Sequence, residues 1–311
     1  MCVNRGNVDY LLLQMLNGVQ LGLLMFLLAA GLTLTFGIMD LVNLAHGSLY
    51  MMGAYIAWML IGWTDSFVLG ALLALPATFL LGIAVEAIVM RRLYARDHLD
   101  QVLATFGLIL FFNELVRVIW GHAGKSIAVP SFLNRTVEIL PGVPYPAYRF
   151  AIIVVGALVA ILLAWLVART RIGMLIRAGA SNRRMIGALG VNIELLFTLV
   201  FGLGAVFAGL AGLMAAPITS VKIGMGDDIL ILAFVIIVIG GIGSIKGAFV
   251  AAMVVGQIDI VGRAFLPDLL KTFLSASAAS SAAPAISQVL IYVVMAGVLV
   301  WRPTGLFGQR T

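Results

Sequence analysis

Charged residues are scarce in this 311-residue sequence: Asp, Glu, Lys and Arg together make up 10% of it, and 63% of it is hydrophobic. A soluble domain carries about 25% charged and about 45–50% apolar residues, so this composition excludes a water-soluble globular fold. A helical crossing of the bilayer takes about 20 apolar residues, which leaves little chain for a separate soluble domain. We therefore interpret residues 1–311 as a single transmembrane domain.

Cysteine and histidine are also nearly absent. The single cysteine, Cys2, excludes an internal disulfide and has no His or Cys neighbour at metal-ligand spacing. The three histidines belong to no H-E-x-x-H motif, and no G-x-S-x-G motif accompanies them. The segment GHAGKS at 121–126 lacks the first glycine of a phosphate-binding loop. We therefore expect a chain that is not an enzyme and that holds no metal or cofactor of its own.

The net charge of +6 does not indicate nucleic-acid binding, because the basic residues cluster in short loops between apolar runs. Three such clusters occur, at 91–96, 169–184 and 302–310. The positive-inside rule places basic loops in the cytoplasm, where they also meet anionic lipid. We expect a multi-pass protein with a cytoplasmic C-terminus and with the connection 121–147 on the outside.

The apolar runs predict the fold class. They indicate an all-α, polytopic bundle of about eight to ten transmembrane segments. Glycine-rich interruptions near 37–47 and 240–247 predict broken or re-entrant helices, which membrane proteins tolerate where the backbone is buried. The Ala- and Ser-rich stretch 275–287 predicts a flexible extracytoplasmic loop over 263–287.

Three acidic residues fall within predicted spans, and each has an arginine three to five residues further on: Glu86 with Arg91, Glu114 with Arg117, and Asp259 with Arg263. A charge inside the membrane costs about 2.5–3.5 kcal/mol, so we expect local pairing near helix ends. A proton-coupled secondary carrier would keep an unpaired carboxylate near mid-membrane. The pairing weakens that alternative without removing it.

The first predicted span carries a stripe of three amides, at Gln14, Asn17 and Gln20. A spacing of three places them on one side of a helix. They either line a polar substrate path or hydrogen-bond a neighbouring helix.

The basic loop 169–192 predicts a short amphipathic helix of its own. Ser181 or Asn182 can cap its start, and Gly190 can end it in the left-handed conformation. Its apolar and basic residues take different faces: Met185, Ile186 and Leu189 on one, Arg183 and Arg184 toward the other. Such a helix either docks a cytoplasmic partner or rests on anionic lipid.

Four motifs resemble one known family: GLTLTFGIMDLVNLAHGSLYMMGAY at 31–55, RAGASNRRMIGALGVN at 177–192, IGGIGSIKGAFVAAMVVG at 239–256 and RPTGLFG at 302–308. In this order, from about residue 11 to residue 308, they resemble the permease subunits of branched-chain amino-acid ABC importers, specifically the shorter, LivH-like one. The resemblance implies a permease subunit that moves branched-chain or other hydrophobic amino acids across the bacterial cytoplasmic (inner) membrane. Amides, urea or aromatic acids stay open as alternative solutes.

The resemblance also implies partners. It predicts a second, LivM-like permease subunit, two cytoplasmic ABC ATPases that bind ATP and Mg, and an extracytoplasmic substrate-binding protein. In that family the segment matching 178–192 is a coupling helix seated on the ATPase, and the matching positions here are Ser181, Asn182, Ala188 and Gly190. We further infer that Arg183 and Arg184 add attraction to an acidic rim.

One more motif points to the substrate path. The turn at Asn43, His46 and Gly47 resembles the family's N-[FL]-A-H-G signature. We interpret these residues as part of a gate or path, with a purely structural turn as the alternative.

Overall fold

The computed structural model describes residues 5–140, 143–181 and 183–308, without the side chains of residues 5–8, 140, 181, 183 and 184. The helices that it contains are α1 (Arg5–Met39), α2 (His46–Thr64), α3 (Phe67–Ile88), α4 (His98–Trp120), α5 (Ala147–Arg169), α6 (Arg171–Ser181), α7 (Arg183–Ala188), α8 (Ile193–Thr219), α9 (Met225–Gly240), α10 (Ile245–Leu270) and α11 (Ala276–Trp301). Strands β1 (Thr136–Leu140) and β2 (Val143–Pro146) pair antiparallel between α4 and α5.

Seven of these helices are long and apolar enough to cross a membrane: α1, α3, α4, α5, α8, α10 and α11. Helices α2 and α9 are shorter, at 19 and 16 residues, and about half or more of the residues in each are buried. Over the described residues this makes nine apolar helices, which confirms the predicted polytopic α-helical membrane fold. The breaks predicted near 37–47 and 240–247 are confirmed too, since α1 ends at Met39 and α9 ends at Gly240.

One end of the bundle collects the arginine-rich loops, and we name it the basic end. It comprises the loop after α3, helices α6 and α7, and the turn between α9 and α10. Three close contacts bring these parts together: Arg91 with Glu194, Gly179 with Leu196, and Gly37 with Gly243. The β1–β2 hairpin lies at the opposite end, where the Tyr145 hydroxyl donates to Asn17 Oδ1 near the start of α1.

The bundle contains an internal repeat in which α1, α2 and α3 correspond to α8, α9 and α10. Helix α1 packs on α10 as α8 packs on α3, and α2 packs on α8 as α9 packs on α1. Helix α1 runs toward the basic end, whereas α8 starts there, so the two halves are inverted. Inverted repeats with interrupted helices are a recurring design of transporters, with the substrate site near the repeat interface.

The predicted flexible loop over 263–287 is wrong. Helix α10 continues to Leu270 and α11 begins at Ala276, so only a short turn separates them. Alanine is the strongest helix former, and here Ser275 caps the helix by accepting from the Ala278 amide. Ser287 is fully buried and donates to the carbonyl oxygens of Ile258 and Asp259, which fixes α11 against α10.

The C-terminal residues 302–308, which we name the C-terminal strap, close the end of α9. The Leu306 amide donates to Ile239 O at 2.9 Å, and the Phe307 amide donates to Gly240 O at 3.0 Å. These carbonyl groups have no partner within their own helix, so the strap supplies the hydrogen bonds that a helix C-terminus needs. The strap thereby fastens the α9–α10 turn to the end of α11.

We expect Gly305→Ala to release this strap. Gly305 has a φ of +80°, and a Cβ there would lie 2.6 Å from Gly241 Cα, so both backbone strain and a steric clash oppose alanine. Hydrogen exchange of the Leu306 and Phe307 amides should rise at least tenfold. Gly297→Ala in α11 is the control, since a Cβ there meets no atom within 4 Å in the described part of the chain. Equal exchange in both variants would contradict the strap's role.

Candidate functional site

A re-entrant segment follows α1. Asp40 takes a positive φ of 51°, and residues 40–45 are not helical before α2 begins at His46. The His46 Nε2 atom lies 3.1 Å from Leu28 O. Leu28 precedes Met39 by eleven residues, which is about 16 Å along a helix at 1.5 Å per residue. The chain therefore runs back beside α1 and starts α2 about halfway along a bilayer core of about 30 Å.

The start of α2 meets the start of α9, and glycine makes this contact possible. A Cβ at Gly47 would lie 2.3 Å from Gly226 O, and a Cβ at Gly226 would lie 1.9 Å from Gly47 O. Two corresponding helices of the inverted repeat thus touch through their backbones. This contact is the centre of the candidate site.

Polar side chains surround this centre without matching partners. Asn43 is fully buried, and within the described part of the chain neither its oxygen nor its nitrogen has a hydrogen-bond partner. The same holds for His46 Nδ1 and Ser48 Oγ. Buried polar groups without partners cost free energy, and in native proteins they mark strained or functional positions. Of the predicted path residues, the structure therefore brings Asn43, His46 and Gly47 together.

The amide stripe on α1 lies elsewhere, toward the opposite end. Asn17 donates to Gln14 Oε1, and its own Oδ1 accepts from the Tyr145 hydroxyl at 3.1 Å and from Arg149 Nη1 at 2.8 Å. Burial raises the pKa of Tyr145 to about 12, which keeps its hydroxyl protonated as a donor. Gln20 is 6% exposed. For Asn17 this geometry favours the interhelical interpretation of the stripe, because it ties α1 to β2 and α5.

The basic loop 169–192 forms two helices, α6 and α7, where the sequence predicted one. Ser181 is the last residue of α6, so its prediction as the N-cap is wrong; the missed signal is the apolar spacing of α6 itself. Gly173, Ile176 and Gly179 are buried on one face of α6, a spacing of three that packs it onto the bundle. Asn182 lies outside the described residues.

Helix α7 ends at Ala188, and Gly190 follows it as the predicted left-handed stop. The Gly190 amide donates to Gly187 O at 3.1 Å, the Val191 amide donates to Ile186 O at 3.3 Å, and Gly190 has a φ of +85°. This is the Schellman motif, in which a left-handed glycine closes a helix. Asn192 then caps α8 by accepting from the Leu195 amide, so only residues 189–192 separate α7 from α8.

The apolar residues of α7 do not share one face, which corrects the prediction. Ile186 is 6% exposed and packs toward the bundle, whereas Met185 and Leu189 are 59% and 75% exposed. Each residue turns a helix by 100°, so Met185 and Leu189, which are four residues apart, lie on one face. Ile186 lies on a different face. Ala188 and Gly190 are exposed, and the backbones of Arg183 and Arg184 form the first turn. The candidate docking face is thus the outer side of α7.

The three predicted ion pairs form: Arg91 with Glu86, Arg117 with Glu114, and Arg263 with Asp259. The first of them belongs to a larger cluster that sequence patterns alone do not predict. Glu86 is fully buried and also accepts from the Tyr94 hydroxyl at 2.8 Å and from the Thr198 hydroxyl at 2.7 Å. Burial, together with the hydrogen bond to Glu86, raises the pKa of Tyr94 above its usual range, so this hydroxyl stays a donor.

Comparison with known proteins gives consistent matches. Residues 14–299 match the family model described as the permease component of branched-chain amino acid transport systems. The chain is 29% identical to the high-affinity branched-chain amino acid transport system permease protein BraD of Pseudomonas aeruginosa, over 97% of both chains. It is 28% identical to LivH of Escherichia coli, over 96% of both, and 26% identical to a probable LivH of Methanocaldococcus jannaschii. No solved structure matches the chain.

Proposed function

The chain belongs to the family of permease components of branched-chain amino acid transport systems, and we propose that it moves branched-chain or other hydrophobic amino acids through the bacterial cytoplasmic membrane. The alignments with relatives named for this solute class cover nearly the full length of both chains, which supports the proposal. Amides, urea or aromatic acids are the alternative solutes, since no contact in the described residues selects one solute. The family is one of transporter subunits, and we propose that ATP and Mg bind to partner subunits.

We propose that the basic end faces the cytoplasm. Arginine-rich loops gather there, as the positive-inside rule requires, and the C-terminal strap lies on the same end. The β1–β2 hairpin then faces outward, where an extracytoplasmic binding protein would deliver the solute. A second, LivM-like permease subunit would pack laterally against this bundle.

The observation that carries the proposal is the pair α6 and α7, a helical segment presented at the basic end between two membrane spans. Its inner face packs on the bundle through Ile176 and Ile186, while Leu189 on its outer face is exposed. A segment that packs on the bundle with one face and exposes an apolar residue on the other face is suited to bind in a groove of another protein. We propose that one of the two cytoplasmic ATPases binds there, and that Arg183 and Arg184 contact an acidic rim on it.

The proposed mechanism is alternating access. Closure of the ATPases on ATP would draw the two docking segments of the permease pair together. The spans attached to those segments would then rock and expose the path to the other side. In this account Asn43, His46 and Gly47 belong to the part of the path or gate where the two halves of the inverted repeat meet. Gln14 and Gln20 would line the path nearer the outside, and Asn17 would hold α1 against β2 and α5 there.

Affinity purification of the tagged chain from its native membrane tests this proposal. In mild detergent we expect an ATPase, a second permease and, after crosslinking, a binding protein in the eluate, together with ATP hydrolysis. Mass spectrometry identifies the partners. Recovery of this chain alone, inactive even after gentle crosslinking, would contradict the proposal and favour a proton-coupled secondary carrier.

A further inference from the structure

We propose that Glu86, Arg91, Tyr94 and Thr198 form a joint, here named the Glu86 joint, that passes movement of the docking segment α6–α7 into the pair α3–α8. These are positioning residues for transport, and the inference rests on the proposed function. It depends on three structural features: how α7 is connected to α8, how the first turns of α8 are held, and how α3 and α8 pack.

The connection between α7 and α8 is short, and a capping residue lies at each end of it. The left-handed glycine at Gly190 ends α7, and the side chain of Asn192 caps α8. Only residues 189–192 lie between the two helices, so this connection can absorb little displacement of α7. A push on α7 therefore reaches the first turns of α8, where helix ends otherwise fray.

The Glu86 joint holds those first turns. The Thr198 hydroxyl donates to Glu86 Oε2 at 2.7 Å, shares that proton with Glu194 O of its own helix at 2.9 Å, and accepts from Arg91 Nη2 at 3.0 Å. Arg91 in turn reaches Glu86 Oε2 at 3.3 Å and Glu194 Oε2 at 3.7 Å. One buried carboxyl group and one guanidinium group thus bind α8 both to the end of α3 and to the loop after it.

Tyr94, in the loop after α3, also hydrogen-bonds the carboxyl group of Glu86. Its hydroxyl donates to Glu86 Oε1 at 2.8 Å, and its ring meets Phe197 edge-on with centroids 5.1 Å apart. The loop after α3 therefore contacts α8 through polar and apolar surface together. Networks of this kind are rigid when every member has partners, because the hydrogen bonds reinforce one another away from water.

Beyond the joint, α3 and α8 pack so closely that they can move together. Gly82 faces Ala205, Gly202 faces the Phe79 ring, and Gly209 faces Thr78, each at a distance that leaves no room for a larger side chain. Small residues at such positions allow the backbones of membrane helices to approach closely. Movement delivered at the Glu86 joint is thus carried along α8 toward its contacts with α2, where Gly209 meets Gly53 and Gly212 meets Tyr50.

The test substitutes Thr198→Val, which keeps the shape of the side chain and removes its hydroxyl. The purified complex in proteoliposomes is assayed for leucine uptake and for ATP hydrolysis, and the readout is leucine transported per ATP hydrolysed. We expect this ratio to fall at least fivefold while ATP hydrolysis and the yield of complex stay within twofold. Tyr94→Phe, which keeps the ring, should lower the ratio two- to threefold.

Thr105→Val is the matched control. Thr105 is fully buried, and among the described residues its hydroxyl donates only to the carbonyl oxygens of Gln101 and Val102 within α4, so this variant should transport as the wild type does. An unchanged ratio in Thr198→Val would overturn the proposal. So would parallel loss of uptake, hydrolysis and complex, which indicates a role in folding only. A wild-type complex without ATP-driven uptake would contradict the proposed function itself.

Discussion

Gly226→Ala is expected to abolish the folded permease. The added Cβ would lie 1.9 Å from Gly47 O, and backbone atoms on both sides leave no flexible side chain to move away. Overpacking of a well-packed interior costs about 1–3 kcal/mol and more where the backbone cannot shift. Because α2 and α9 both start at this contact, the strain would separate the two halves of the inverted repeat. We expect the yield of monodisperse protein on size-exclusion chromatography to fall at least tenfold.

Gly107→Ala in α4 is the control for this experiment. A Cβ at Gly107 meets none of the atoms that the structure describes within 4 Å, and alanine favours a helix more than glycine does. This variant should behave as the wild type does or be slightly more stable. The account of the α2–α9 contact would be contradicted by a Gly226→Ala variant that elutes and melts like the control.

Gly190→Val is expected to leave membrane insertion normal and to lower transport activity. A β-branched residue at a φ of +85° is strained by about 1–2 kcal/mol, so the end of α7 should refold into another conformation. A Cβ there meets no atom of the described residues within 4 Å, so the bundle itself should be undisturbed. We expect normal amounts of inserted protein, with uptake and substrate-stimulated ATP hydrolysis both reduced at least tenfold.

Two variants make that result specific. Gly190→Asn should keep most activity, because asparagine tolerates the left-handed conformation. Gly121→Val also places a β-branched residue at a positive φ, +81°, where a Cβ meets no described atom within 4 Å, but at the end of α4, far from the docking segment. If Gly121→Val loses as much uptake as Gly190→Val, or if Gly190→Val transports normally, the docking assignment fails.

The spans were predictable because lipid imposes a simple rule: long apolar runs such as α1 and α5 must be helices. The Gly190 stop and the Glu86–Arg91 pair were predictable for a related reason, since both depend on residues close together in sequence. The sequence predicts the second half of α11 as the last span, but it predicts a loop over 276–287, because Ala and Ser runs have the composition of a linker. The structure shows a helix there, in which Ala279, Ala283 and Ser287 are fully buried and Ser287 donates to α10.

The centre of the site could be predicted only in part. The signature at Asn43 and His46 stands out in the sequence, yet nothing in it points to Gly226 as the residue that α2 meets. Thr198 is 112 residues from Glu86 and reads as one more polar residue near a helix start. Contacts across an inverted repeat follow from packing of whole helices, and no local pattern encodes them.

The most direct test of the account is uptake of leucine, isoleucine and valine into proteoliposomes that contain the purified complex. The account predicts accumulation with ATP, the ATPases and the binding protein present together, and none when a non-hydrolysable ATP analogue replaces ATP. This chain reconstituted alone should transport nothing under a pH gradient. Accumulation by the chain alone, driven by that gradient, would contradict the account.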